Sequence, residues 1–211
     1  HAIDFVGLSF VDSARQIQAV RELIGKPSPR VLAKVENLDA MNNLEEVIAA
    51  ADVIMIDRGD LSAETSLESI ALFQKRILRA AHAAGKPAIV ATEMLHSMID
   101  SPVPTKAEVS DISNAVLDGA AALMLSGETA MGRFPTEAVA MMRRVADTVS
   151  ASMQSSLDLE NGARSARVPE AMGDAIALVC RRLPVTKVVA ITVSGYAARM
   201  LAARAPRQPI L

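Results

Sequence analysis

The sequence has no tryptophan, a single tyrosine and no dense run of basic residues, and its 22 Lys and Arg nearly balance 24 Asp and Glu for a net charge of −2. That balance argues against a nucleic-acid partner, because neutralising a phosphate backbone takes concentrated cations. One cysteine, Cys180, excludes an internal disulfide and a multi-cysteine zinc site, and so favours a reducing compartment such as the cytoplasm. Apolar runs break off well short of the roughly 20 residues of a membrane span, so no membrane association is expected. No charged leader precedes the apolar pattern at Ile3–Phe10, so no cleavable signal is expected. What is present is a globular composition, 51% hydrophobic and 22% charged over 211 residues. That excludes a disordered or collagen-like chain and allows one large domain or two smaller ones.

Short β-branched runs alternate with segments of helical period. Strands are expected at Ile3–Phe10, Val31–Val35, Asp52–Ile56, Pro87–Thr92 and Ala121–Leu125. Helices are expected at Ala14–Ile24 (stopped by Gly25), Met41–Ala50, Leu67–Ala84, the segment from Thr105 to Gly119, and Pro135 to about Ser150. Thr65-x-x-Glu68 and Thr105-x-x-Glu108 both have capping-box spacing. A polar loop is expected between the third strand and Leu67.

Five strand–helix units with fully apolar strands imply a parallel α/β sheet covered on both faces. Either a doubly wound sheet or a (β/α)8 barrel fits. Four strands end in polar clusters, Lys34-Val35-Glu36-Asn37, Asp57-Arg58-Gly59-Asp60, Thr92-Glu93-Met94 and Ser126-Gly127-Glu128-Thr129. Clusters at several strand ends favour a barrel, where those ends converge on one mouth. The expected fold is therefore a partial TIM barrel, its last five βα units, over residues 1–150. A linker (151–167) and the beginning of a second α/β domain (168–211) follow. In that second domain helices are expected at Pro169–Leu183 and Tyr196–Arg204, a strand at Lys187–Val193, and the opening of another at Pro209–Leu211.

Residues two apart on a strand share a face, so Lys34 and Glu36 point the same way. Alone they could form a rim salt bridge. Asp60 brings a second carboxylate from the next strand end, behind Gly59, whose N–H is a ready donor to an anion. Two carboxylates from adjacent strands suit Mg²⁺, which completes its octahedron with water and substrate oxygens. Thr92 and Ser126 place hydroxyls at equivalent strand ends.

These clusters, with Ala84-Gly85-Lys86-Pro87, Ser101-Pro102-Val103-Pro104-Thr105-Lys106-Ala107-Glu108 and Asn114-Ala115-Val116-Leu117-Asp118-Gly119, resemble the successive signatures of the pyruvate kinase family. The resemblance covers nearly the whole chain and weakens after about Ser150. It implies phosphoryl transfer from phosphoenolpyruvate to ADP, giving pyruvate and ATP. It assigns Lys34 to the phosphoryl-transfer transition state and Glu36 and Asp60 to the divalent metal, Mg²⁺ or Mn²⁺. Arg58, Gly59, Asp60 and Thr92 are assigned to substrate binding, with the Gly59 and Asp60 amides on its carboxylate. Thr92 also counts among the catalytic residues, and Ser126 lies on the proton path to the enolate. It also implies a cytoplasmic homotetramer, and K⁺ held by residues outside this chain.

The sequence departs from the family pattern at Asp57, where a small alanine is usual, at Ser62-Ala63, and at Glu93 in place of glutamine. Asp57 and Glu93 either point away from the mouth or weaken the binding of an anionic substrate. The family's first barrel strands and lid domain are absent from this sequence, so the isolated chain is expected to be inactive. Two other readings stay open. One is a metal-dependent aldolase or lyase acting through a pyruvate enolate. The other is a catalytically degenerate relative serving as a binding or regulatory subunit.

Overall fold

A computed structural model of the protein describes residues 3–25, 29–153, 168–202, 204 and 208–211. The chain divides into two compact units, at 1–151 and 152–211.

In the first unit the elements run β1 (Phe5–Leu8), α1 (Ala14–Ile24), β2 (Arg30–Val35), α2 (Leu38–Asn42), α3 (Leu44–Ala50), β3 (Val53–Asp57), α4 (Arg58–Glu64), α5 (Leu67–Ala83) and β4 (Ala88–Ala91). A short 3₁₀ turn (His96–Ile99) follows, then α6 (Lys106–Leu117), β5 (Ala122–Met124), α7 (Gly127–Ala130) and α8 (Pro135–Ser152). The strands form one parallel sheet in the order β1-β2-β3-β4-β5. A doubly wound sheet reverses its strand order at a switch point. This sheet never does, as a partial barrel requires.

Alternation along the strands sorts the faces. Val31, Ala33 and Val35 of β2 are fully buried, with Ile54 and Ile56 of β3 and Val90 of β4, among Ile17, Leu44, Val47, Ile77, Leu78 and Ile112 from the helices. Burying each of the larger side chains contributes about 1.5–3 kcal/mol. Leu32 and Lys34 stand on the opposite face of β2 and are only half-buried. At the far end of the sheet Asp52 accepts from Arg21 Nη2 at 2.6 Å and from the Val31 amide at 2.8 Å, fastening α1 to β2 and β3.

Helix ends follow local chemistry. Gly25 and Gly119 take φ of 71° and 92° at the ends of α1 and α6, conformations a side chain would oppose. Thr105 and Glu108 form the expected capping box at α6. Three local expectations fail. The segment read as a polar loop holds α4. Thr65 does not cap α5: its hydroxyl donates to the Leu61 carbonyl at 2.7 Å, closing α4, and Ser66 takes the N-cap position. The helix expected at Met41–Ala50 is two, broken at Asn43, which leaves helical geometry at φ −105° and ψ 24°, and the first starts earlier, capped by Asn37, whose side chain accepts from the Ala40 amide at 2.7 Å.

The second unit holds α9 (Val168–Arg182) and α10 (Tyr196–Ala202). Arg204 ties them, donating to Asp174 Oδ1 at 2.9 Å and to the Met200 carbonyl at 3.2 Å. Cys180 is buried on α9. The strand expected at Lys187–Val193 is reduced to a parallel bridge between Val188 and Ile210, and Ile191 and Val193 are fully exposed. Residues 209–211 pair there with Val188 and Ala190. Most of the expected linker, 154–167, lies outside the described residues.

Candidate functional site

The parallel register sets the site. Lys34 of β2 stands beside Met55 of β3, so one step of two residues brings Glu36 beside Asp57 on the same face. Lys34 Nζ lies 2.7 Å from Glu36 Oε2 and 2.9 Å from Asp57 Oδ2, and its reach extends to Ser9 Oγ at 3.5 Å. Glu36 is 1% exposed and Asp57 7% exposed. Burial alone would pull the Lys34 ammonium down. Hydrogen bonds and charge from Glu36 and Asp57 outweigh it and hold the pKa above the ordinary lysine value.

Asp60, in the first turn of α4 and exposed, completes an acidic group. One carboxylate oxygen from each of Glu36, Asp57 and Asp60 lies within 4.8 Å of the others. Glu36 Oε1 accepts from the Phe10 amide, which the left-handed backbone at Phe10 (φ 52°) presents. Glu36 Oε2 is sealed from solvent, and the Lys34 ammonium at 2.7 Å is its partner. A buried carboxylate with two further carboxylates in reach is a donor set that fits a hard divalent cation.

Strand β4 adds its end from the other side. Thr92 and Glu93 have φ of 66° and 55°, positions that side-chain-bearing residues rarely occupy, and for a β-branched threonine the more so. The turn is held from outside. Gly59 lies in the first turn of α4, where its N–H has no helical acceptor, and it donates to Thr92 Oγ1 at 2.9 Å. Thr92 Oγ1 in turn donates to the Ala91 carbonyl at 2.7 Å. A Cβ at Gly59 would sit 3.7 Å from both Asp57 Oδ1 and Thr92 Oγ1, filling the space between the two strand ends.

Arg58 is placed differently from its expected substrate contact. It is 7% exposed, and its guanidinium donates to Asp111 Oδ2 (2.6 Å), the Thr92 carbonyl (2.7 Å), Met94 Sδ (2.9 Å) and Gln74 Oε1 (3.4 Å). These bonds join β3, β4, α5 and α6 behind the acidic group. Ser126 follows β5, and Glu128 fixes its backbone: Oε2 accepts from the Ser126 amide at 2.8 Å while Oε1 accepts from the Leu95 amide at 2.9 Å. Glu128 is 2% exposed and binds the β4 and β5 ends together.

Lys34, Glu36 and Asp60 thus come together, and Gly59 meets Thr92. Of the two unusual acids, Glu93 is exposed, and it lines a cavity of about 220 Å³ with Arg58, Ser62 and Asp111. Asp57 turns into the group and grips Lys34. Period-two alternation on β3 was the available signal for Asp57. Asp111 and Gln74 carried none, being brought to Arg58 only by the packing of α5 and α6. A larger cavity, about 540 Å³, runs along β5 between α6 and α8 with largely apolar walls and is lined by none of these residues.

Known proteins resemble this chain over nearly its whole length. The family "pyruvate kinase, barrel domain" matches residues 1–139. The chain is 39% identical over 212 residues to pyruvate kinase 2 of Synechocystis sp., covering 99% of this chain and 35% of that protein. With the pyruvate kinase of Mycobacterium tuberculosis it shares 42% over 213 residues, covering 99% of this chain and 44% of the other. A crystal structure of a pyruvate kinase from Cryptosporidium parvum superposes with a TM-score of 0.87 at 35% identity, covering 99% of this chain and 45% of that one. The chain spans only about a third to a half of the length of these relatives.

Proposed function

Because this chain belongs to the pyruvate kinase family, we propose that it forms part of a phosphotransferase that moves the phosphoryl group of phosphoenolpyruvate to ADP, giving pyruvate and ATP. The observation that carries this reading is the Lys34 ammonium set 2.7 Å from Glu36, beside a group of three carboxylates at adjacent strand ends. Phosphoryl transfer asks a protein chiefly for positioning and charge neutralisation.

Lys34, kept protonated by its carboxylate neighbours, would face the transferring phosphoryl group with a fixed positive charge. Glu36 and Asp60 would hold Mg²⁺ or Mn²⁺, which when bound neutralises phosphoryl oxygens. The first turn of α4 would offer the Asp60 amide, and the Gly59 amide in exchange for its bond to Thr92 Oγ1, to a substrate carboxylate. Arg58 supports that turn from behind. Ser126 offers a hydroxyl for protonating the enolate carbon.

On the same family membership we assign 168–211 to the beginning of a C-terminal α/β domain. The full-length protein would be a cytoplasmic homotetramer, with any K⁺ bound by residues outside this chain. No helix among the described residues is long and apolar enough to cross a membrane.

The test is pyruvate formation by the full-length protein, followed through lactate dehydrogenase. The rate should require both ADP and a divalent cation. Lys34→Met should lower kcat by a factor of about 10²–10³, the effect of removing one transition-state donor. Full activity in Lys34→Met would overturn the assignment.

A further inference from the structure

Resting on the phosphotransferase reading above, we propose that Asp57 is a positioning residue for Lys34, a second anchor that fixes the ammonium where it meets the transferring phosphoryl group. A lysine side chain is a compact charge on a flexible four-carbon stem. One ion pair leaves that stem free to swing about its partner. A charge helps a reaction most when its place is set beforehand.

Two strands grip the same ammonium. Lys34 Nζ lies 2.7 Å from Glu36 Oε2, two residues on in its own chain segment, and 2.9 Å from Asp57 Oδ2 at the end of β3. Ser9 Oγ, just past β1, accepts at 3.5 Å. Partners at three neighbouring strand ends thus reach the ammonium from different directions and match its three donors. Asp57 is buried and the Lys34 side chain is 22% exposed, so water competes little for these contacts.

Asp57 also forgoes its ordinary local bond. It stands at the N-cap of α4, where an aspartate commonly accepts from an amide of the first turn. Its side chain makes no capping bond there, and the carboxylate reaches across to Lys34 instead. The small alanine usual at this position in the family offers an ammonium no acceptor, so the second anchor belongs to this sequence's departure from the pattern.

The experiment is a double-mutant cycle in the full-length protein, read as kcat and as KM for phosphoenolpyruvate in the coupled assay. ADP and Mg²⁺ are kept saturating, so that a change in cation affinity does not register. Asp57→Ala should lower kcat about tenfold and change KM less than about twofold, the mark of a charge misplaced in the transition state. Asp57→Asn keeps an oxygen that can accept from the ammonium, and its kcat should fall between those of wild type and Asp57→Ala. In a Lys34→Met background Asp57→Ala should lower kcat no further, because the group it positions is gone. If the alanine variant melts early, Asp57→Asn carries the cycle. Wild-type kcat in Asp57→Ala, or an equal loss in both backgrounds, overturns the role of Asp57 while the phosphotransferase reading stands. If the wild type forms no pyruvate, both fall.

Discussion

The Arg58 guanidinium donates to the main-chain carbonyl of Thr92 at 2.7 Å, so the residue that follows β3 holds in place the residue that follows β4. The same guanidinium reaches Asp111 at 2.6 Å and Met94 Sδ at 2.9 Å. A lysine carries one nitrogen and cannot span these partners. Arg58→Lys should therefore cost about 2 kcal/mol of stability, the worth of the charge-assisted bonds it cannot remake. Urea unfolding checks this, and a variant with the wild-type midpoint would contradict it.

The Gly59 amide donates to the Thr92 hydroxyl oxygen. Thr92→Val keeps the shape and leaves that donor without a partner, which should cost about 1–3 kcal/mol. Thr92→Ser keeps the hydroxyl and should cost less. Equal stability of the valine and serine variants in thermal melts would show that the bond contributes nothing.

Glu128 takes two backbone amides, one on each carboxylate oxygen. Glutamine offers one oxygen and turns an NH₂ toward the other amide, setting donor against donor. Glu128→Gln should lower stability by about 1–3 kcal/mol. It should also slow pyruvate formation by loosening Ser126, measured as kcat in the coupled assay. A stable variant with unchanged kcat would remove Glu128 from the positioning of β5.

Glu108 links pH to the loop before α6. Burial alone would raise its pKa. Hydrogen bonds from the Ser97 hydroxyl and amide and from the Thr105 amide and hydroxyl outweigh that and hold it below its ordinary 4.5. A depressed carboxyl pKa stabilises the fold fully above the unfolded value, and the contribution fades as pH drops through the folded value. The gap in denaturation midpoint between wild type and Glu108→Gln should be constant above about pH 5. It should close as pH is lowered below 4.5. A gap that widens toward acid would reverse the assignment.

The sequence by itself determined the alternation of strand and helix, the parallel sheet, the α6 capping box and the gathering of Lys34, Glu36 and Asp60. Period and spacing are local, and in a parallel sheet whose strands pair in chain order the strand ends converge at one edge. Only the tertiary structure decided where Arg58 points and which partner Asp57 takes. Arg58 reads in sequence as part of a polar strand-end cluster, yet Asp111, 53 positions away, and the Thr92 carbonyl draw it behind the site. Asp57 meets Lys34 because the pairing of β2 and β3 sets it beside Glu36, on the face that Lys34 shares. The Thr65 hydroxyl, by contrast, takes a local partner, the Leu61 carbonyl four positions back, in place of capping α5. A side chain's partner depends on which neighbour reaches it first in space, and that competition is settled by packing between segments far apart in the chain.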